Sequence, residues 1–176
     1  CVDLDMVRYI TLLLFIGLVW GQDCIADDGT DGVELWGECY SIANTTELHL
    51  GNNELTGPIP PEIGNLTNLT YLGLYLNQLT GIISPEIGNL TNLTWLDLGN
   101  NGLIGSIPPE IGNLTNLTHL NLRYNQLNGE IPESICDLNI EWSTSWSFNI
   151  SNNQLCSSYP SCIEDYAGRQ DTSDCP

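Results

Sequence analysis

The chain repeats itself. Residues 42–65, 66–89, 90–113 and 114–137 align with one another without a gap, each unit 24 residues long. This self-similarity constrains the fold more than any other feature, because a unit of that size cannot bury its apolar face alone and must stack on its neighbours. A fifth, degenerate unit runs from Leu138 to Leu155. It keeps the pattern if the step from Leu120 to Phe148 is 28 residues in place of 24.

The columns of the repeat say what each position does. Leu48, Leu72, Leu96, Leu120 and Phe148 are equivalent, as are Leu50, Leu74, Leu98, Leu122 and Ile150. Apolar residues two apart have the period of a strand with one buried face. Leu55, Leu79, Leu103, Leu127 and Leu155 follow, then isoleucines at 59, 83, 107 and 131 and at 63, 87, 111 and 135. Between them stand Asn53, Asn77, Asn101, Asn125 and Asn153. A coiled backbone turns amide groups inward, and an asparagine has the donors and the acceptor to satisfy them. These five are read as a structural ladder. Gly57, Gly81, Gly105 and Gly129 mark a corner that a Cβ would hinder. Pro61, Pro85 and Pro109 suit the first position of a short helical turn, with Ser84 as a candidate cap for one of them.

The run Leu66-Thr67-Asn68-Leu69-Thr70-Tyr71-Leu72-Gly73-Leu74, followed by Asn77, Leu79, Gly81 and Ile83, closely resembles the 24-residue, plant-type leucine-rich repeat. Secreted bacterial proteins with the same repeat are similar too. The departures are Ser84 for the usual proline and, in the first unit, Thr45 for the leucine. The resemblance implies an α/β solenoid: a short, curved, right-handed coil with parallel strands on its concave side. Short helical or 3-10 segments lie on the convex side, and disulfides stand in the caps. It implies binding of protein or carbohydrate on the concave face and no chemistry, hence no enzyme and no cofactor. On this reading 1–21 is leader and signal peptide, 22–41 an N-terminal cap, 42–155 the repeats and 156–176 a C-terminal cap.

Charge narrows the partners. The chain carries 3 Lys plus Arg against 22 Asp plus Glu, a net charge of −19. Phosphate recognition needs clustered cations, so nucleic acid is excluded as a partner, and anionic lipid is disfavoured. Met6-Val7-Arg8-Tyr9 and the apolar run from Ile10 to Trp20 read as a secretory signal, too short to span a bilayer. Cleavage near Gly21 or Gln22 leaves no stable membrane insertion and a secreted or cell-surface product. Without Cys1, six cysteines remain, an even number suited to an oxidising compartment. Cys24 and Cys39 are expected to pair. Cys136, Cys156, Cys162 and Cys175 allow three pairings, and Cys136–Cys156 with Cys162–Cys175 is the preferred one. Trp36 and Tyr40 are expected to cover the first coil.

The outward strand positions are where coils differ. One column reads Glu47, Tyr71, Trp95, His119, Ser147; the next His49, Gly73, Asp97, Asn121, Asn149; a third Gly51, Tyr75, Gly99, Arg123, Ser151. Adjacent strands lie about 4.8 Å apart. Tyr71, Trp95 and His119 therefore form one stripe, bordered by Tyr75, Asp97, Arg123 and Tyr124. Exposed aromatics beside a few polar groups are what a binding hot spot needs. Cross-strand packing alone is the plainer account, and a structural or adhesive surface-array protein is the main rival function.

Three further patterns are weighed. Asp27, Asp31 and Glu38 fit an EF-hand-like D-x-x-x-D-G-x₅-E spacing for calcium, but Gly29 stands at a ligand position and no helices flank it. Sequons stand at Asn44, Asn65, Asn68, Asn89, Asn92, Asn113, Asn116 and Asn149. Thr67, Thr91 and Thr115, and likewise Thr70, Thr94 and Thr118, form regular hydroxyl rows, the basis of an ice-binding alternative. The strand preference of threonine and repeat duplication explain them better.

Overall fold

The computed structural model describes residues 23–173 and 175, so the expected leader and cleavage site lie outside the described residues. An antiparallel N-terminal unit comes first, from β1 (Asp23–Ile25), β2 (Asp31–Leu35) and β3 (Glu38–Ser41). The coils then contribute two strands each: β4 (Glu47–His49) and β5 (Thr56–Pro58), β6 (Tyr71–Gly73) and β7 (Gln78–Gly81), β8 (Trp95–Asp97) and β9 (Gly102–Gly105). The last two coils give β10 (His119–Asn121) and β11 (Gln126–Gly129), then β12 (Phe148–Asn149) and β13 (Gln154–Leu155). Even-numbered strands from β4 onward form one five-stranded parallel sheet and odd-numbered strands from β5 another. The chain is thus a small parallel-stranded solenoid with disulfide-bearing caps.

The apolar columns all point inward. In the second coil Leu66, Leu69, Leu72, Leu74, Leu79, Ile83 and Ile87 are buried, and the third repeats them from Leu90 to Ile111. Each such side chain contributes about 1.5–3 kcal/mol on burial. The second sheet is not legible in the columns, because its strands are two to four residues long, too short to show an apolar alternation. Its corner glycines are: Gly57, Gly81, Gly105 and Gly129 have φ between 77° and 81°, a region where a Cβ is strained. On the convex side 3-10 turns span Pro61–Asn65, Pro85–Asn89, Pro109–Asn113 and Glu133–Asp137. Ser84 does not cap its turn; its hydroxyl bonds the Glu86 carboxylate.

The asparagine column fastens coil to coil. Asn101 Nδ2 donates to Leu74 O (3.0 Å) in the preceding coil and to Leu98 O (3.1 Å) in its own, while its Oδ1 accepts from Leu79 N (3.1 Å). Asn77, Asn125 and Asn153 repeat this geometry. Asn53 departs from the expectation. It is exposed, and its side chain makes no hydrogen bond among the described residues, because the antiparallel unit before it offers no equivalent carbonyl. At the other end Gln170, unforeseen, takes the next rung: Nε2 donates to Ile150 O (3.0 Å) and Ala167 O (2.7 Å). A second ladder stitches the rim, with Asn68, Asn92 and Asn116 Nδ2 donating to Ala43, Thr67 and Thr91 carbonyls at 2.8–2.9 Å.

The caps carry one correction. Cys24 pairs with Cys39, and Trp36 and Tyr40 pack on the core. The later bonds are Cys136–Cys162 and Cys156–Cys175, not Cys136–Cys156 and Cys162–Cys175. The reason is placement on the coil. Cys136 closes the convex 3-10 turn against the core, whereas Cys156 leaves β13 at the lateral sheet. The coil's cross-section keeps the two apart, and the C-terminal segment passes both. Among the described residues no helix is long and apolar enough to cross a membrane.

Candidate functional site

Register builds the concave surface. Glu47 pairs with Tyr71, Tyr71 with Trp95 and Trp95 with His119 across β4, β6, β8 and β10. The rings stack along that line, with centroids 5.8 Å apart for Tyr71–Trp95 and 4.0 Å for Trp95–His119. Two members were not foreseen. His49, from the neighbouring column, leans 4.3 Å from the Tyr71 ring. Trp146, from the segment inserted into the fifth coil, lies 4.5 Å from His119. Ser147, expected to point outward in the same column, is buried and hydrogen-bonded to the Glu141 and Thr144 carbonyls. Five rings thus cross the sheet, the first four stacked face to face and Trp146 tilted at 45° to His119.

Polar groups fix several of these rings. Glu47 Oε2 holds His49 Nε2 at 2.9 Å. Thr118 Oγ1 donates to Thr94 O, so it accepts from His119 Nδ1 at 2.8 Å and leaves Nε2 as the unprotonated nitrogen. That Nε2 and Trp95 Nε1 are both buried without a partner. Burial holds the His119 pKa below the ordinary 6.5 and, with nearby negative charge, raises that of Tyr71.

The border residues are placed around this stack. Asp97 Oδ1 accepts from Asn121 Nδ2 and Gly99 N, both at 2.9 Å. Tyr75 lies over Gly51, where an added Cβ would come within 2.5 Å of its ring. Arg123 lies 5.9 Å from the Tyr124 ring centroid and makes no ion pair among the described residues. Tyr124 shares a left-handed column with Asn52, Leu76, Asn100 and Asn152, all with φ between 54° and 58°. Asparagine suits that conformation; leucine and tyrosine do not. Leu76 and Tyr124 are each 52% exposed, so burial does not offset that strain.

The calcium spacing does not come together. Asp31 opens β2 and Glu38 faces Leu35 at its far end, so the hairpin holds the two carboxylates apart. No group of three His, Cys, Asp or Glu among the described residues is arranged for a metal. Asp28 instead anchors the turn, accepting from Thr30 and Asn44, and those hydrogen bonds lower its pKa to about 2.

Fold and surface together define a capped repeat solenoid with an aromatic concave face. The chain belongs to the leucine-rich-repeat proteins of plant type: the "Leucine rich repeat" model matches residues 43–103 and "Leucine Rich repeats (2 copies)" matches 91–138. Among solved structures it is similar to the Arabidopsis receptor kinase HAESA, crystallised with the peptide hormone IDA and the co-receptor SERK1. There the identity is 34% over 70% of this chain and 21% of that one, with a TM-score of 0.64. It is 31% identical to the BIR2 ectodomain from Arabidopsis thaliana, covering 70% of this chain and 66% of that one at a TM-score of 0.59. A plant ice-binding protein is 36% identical over 62% of this chain and 34% of its own, with a TM-score of 0.54. This chain therefore spans about a fifth of the HAESA chain and a third of the ice-binding one. No curated protein matches it.

Proposed function

We propose that the chain is an extracellular, non-enzymatic binding module whose concave sheet takes a protein or peptide. Tyr71, Trp95 and His119 form the centre, and Tyr75, Asp97, Arg123 and Tyr124 the border. The stack carries this reading. The core is complete without these rings, and half-buried aromatic rings gathered on one face have the composition of a hot spot. The relatives favour a protein over a carbohydrate ligand: HAESA and the receptor RGFR1 were crystallised with peptides, and BIR3 with SERK2. Three disulfides suit a secreted or surface location. The test is a screen of the purified protein against secreted peptides and ectodomains, with a glycan array beside it. Saturable protein binding supports the proposal. Binding to glycans alone replaces the ligand class, and binding to neither favours a surface-array role.

A second reading is ice binding, favoured by the threonine rows and the likeness to a plant ice-binding protein. Against it, the hydroxyls of Thr70, Thr94 and Thr118 already donate to carbonyls of the preceding coil. Only the exposed row Thr67, Thr91 and Thr115 is left to order water. Thermal hysteresis that is lost on Thr91→Leu would support this reading; no hysteresis at high protein concentration removes it.

A further inference from the structure

The segment inserted into the fifth coil and the C-terminal cap border an open hollow of about 240 Å³. Trp142, Phe148 and Tyr166 wall it, and Ser145, Asn149 and Ser151 supply its polar rim. It lies past the end of the ring stack and shares no residue with the concave site proposed above. Phe148 is buried, Trp142 stands edge-on to it at 4.9 Å and 82°, and Tyr166 is 43% exposed. Gly168, at φ 67°, lets the cap descend onto Ser151, where a Cβ would come within 2.8 Å.

The polar rim is partly unused. Asn149 Oδ1 accepts from Ser151 N (3.1 Å) and Ser151 Oγ (2.7 Å). Asn149 Nδ2, Ser145 Oγ and Tyr166 Oη have no hydrogen-bond partner among the described residues. No lining residue is charged, in a chain of net charge −19. Aromatic walls, neutral hydroxyl and amide groups and small volume match one chemistry: a ring with apolar C–H faces and equatorial hydroxyls.

We propose that this hollow holds one neutral sugar ring. The sugar has two possible sources, a free saccharide or the first residue of a glycan on Asn149 itself, since Asn149-Ile150-Ser151 is an acceptor sequon.

Two arms separate the sources. Protein exported to a bacterial periplasm, with Asn149 bare, is titrated with N-acetylglucosamine, glucose, galactose and mannose by saturation-transfer NMR. A free-sugar site gives saturable, millimolar binding of at least one. Tyr166→Ala and Asn149→Leu each weaken it about tenfold or more, and Ile82→Ser on the lateral sheet leaves it unchanged; a tenfold change is 1.4 kcal/mol. Protein from eukaryotic secretory cells is mapped for a glycan at Asn149 and for NMR contacts between its first sugar and the Tyr166 ring. Those contacts assign the hollow to the chain's own glycan. The proposal is overturned if the bare protein binds none of the four sugars and the Asn149 position is bare or its glycan makes no contact with Tyr166. Binding that persists unchanged in both variants overturns it as well.

Discussion

Trp95 lies on His119 with ring centroids 4.0 Å apart and planes 19° from parallel. This contact desolvates the imidazole, and desolvation is what depresses its pKa. The folded value lies below the unfolded one, so between the two the unfolded chain binds more protons and stability rises with pH. The contribution of His119 is present above about pH 6.5 and is lost as pH falls through the folded pKa. An NMR titration should place His119 below the ordinary histidine value. Trp95→Ala should move His119 up toward the ordinary value, and no movement would show that stacking is not the cause.

The ladder predicts a contrast between chemically identical substitutions. Asn125 Nδ2 donates to Leu98 O and Leu122 O, each at 3.0 Å, and Oδ1 accepts from Leu103 N at 3.1 Å, all buried. Asn125→Ala strands these groups and should cost about 3 kcal/mol. Asn53→Ala, at the exposed end, should cost under about 0.5 kcal/mol. Urea unfolding of the two variants measures both, and equal losses would contradict the ladder's one-sided geometry.

What was legible follows from which forces leave a periodic mark. Leu72, Leu96 and Leu120 recur because every coil must bury the same volume, so the columns give the core and the register of the stack. Trp146 and Gln170 carry no such mark. Each stands in a segment that departs from the 24-residue period, and only chain closure in three dimensions brings it against His119 or Asn153. Gly64, Gly88 and Gly112 do carry a periodic mark. Each sits where a Cβ would meet a carbonyl of the next convex turn at 2.5–2.6 Å, so the column reports close stacking. The cysteine pairing failed for the same reason as Trp146, since spacing along the chain does not say which side of a coil a residue leaves from.

That pairing is itself checkable. Peptide mapping of the exported protein should recover Cys136–Cys162 and Cys156–Cys175. Cys162→Ala should free the Cys136 thiol alone and cost about 3 kcal/mol in the chain-entropy account. Recovery of a Cys136–Cys156 peptide would refute the placement of the C-terminal cap.

Leu76 and Tyr124 hold a left-handed backbone that asparagine holds elsewhere in the column. Leu76→Asn and Tyr124→Asn should each stabilise the fold by about 0.5–1 kcal/mol, since a left-handed residue with a Cβ costs roughly 1–2 kcal/mol and asparagine less. If Tyr124 is retained for a ligand, Tyr124→Asn should gain stability and lose affinity together. Thermal melts of both variants decide the first part; a lowered midpoint would contradict it.

The most direct test of the concave site is the affinity of a triple variant. Tyr71→Ala, Trp95→Ala and Tyr75→Ala together remove two half-buried rings and one exposed ring that lie outside the buried core. The expected outcome is an unchanged far-ultraviolet spectrum and cooperative melt, with affinity for the screened protein or peptide partner reduced at least a hundredfold, about 2.7 kcal/mol. A folded triple variant that binds that partner as the unaltered chain does would contradict the account and move the site off the concave face.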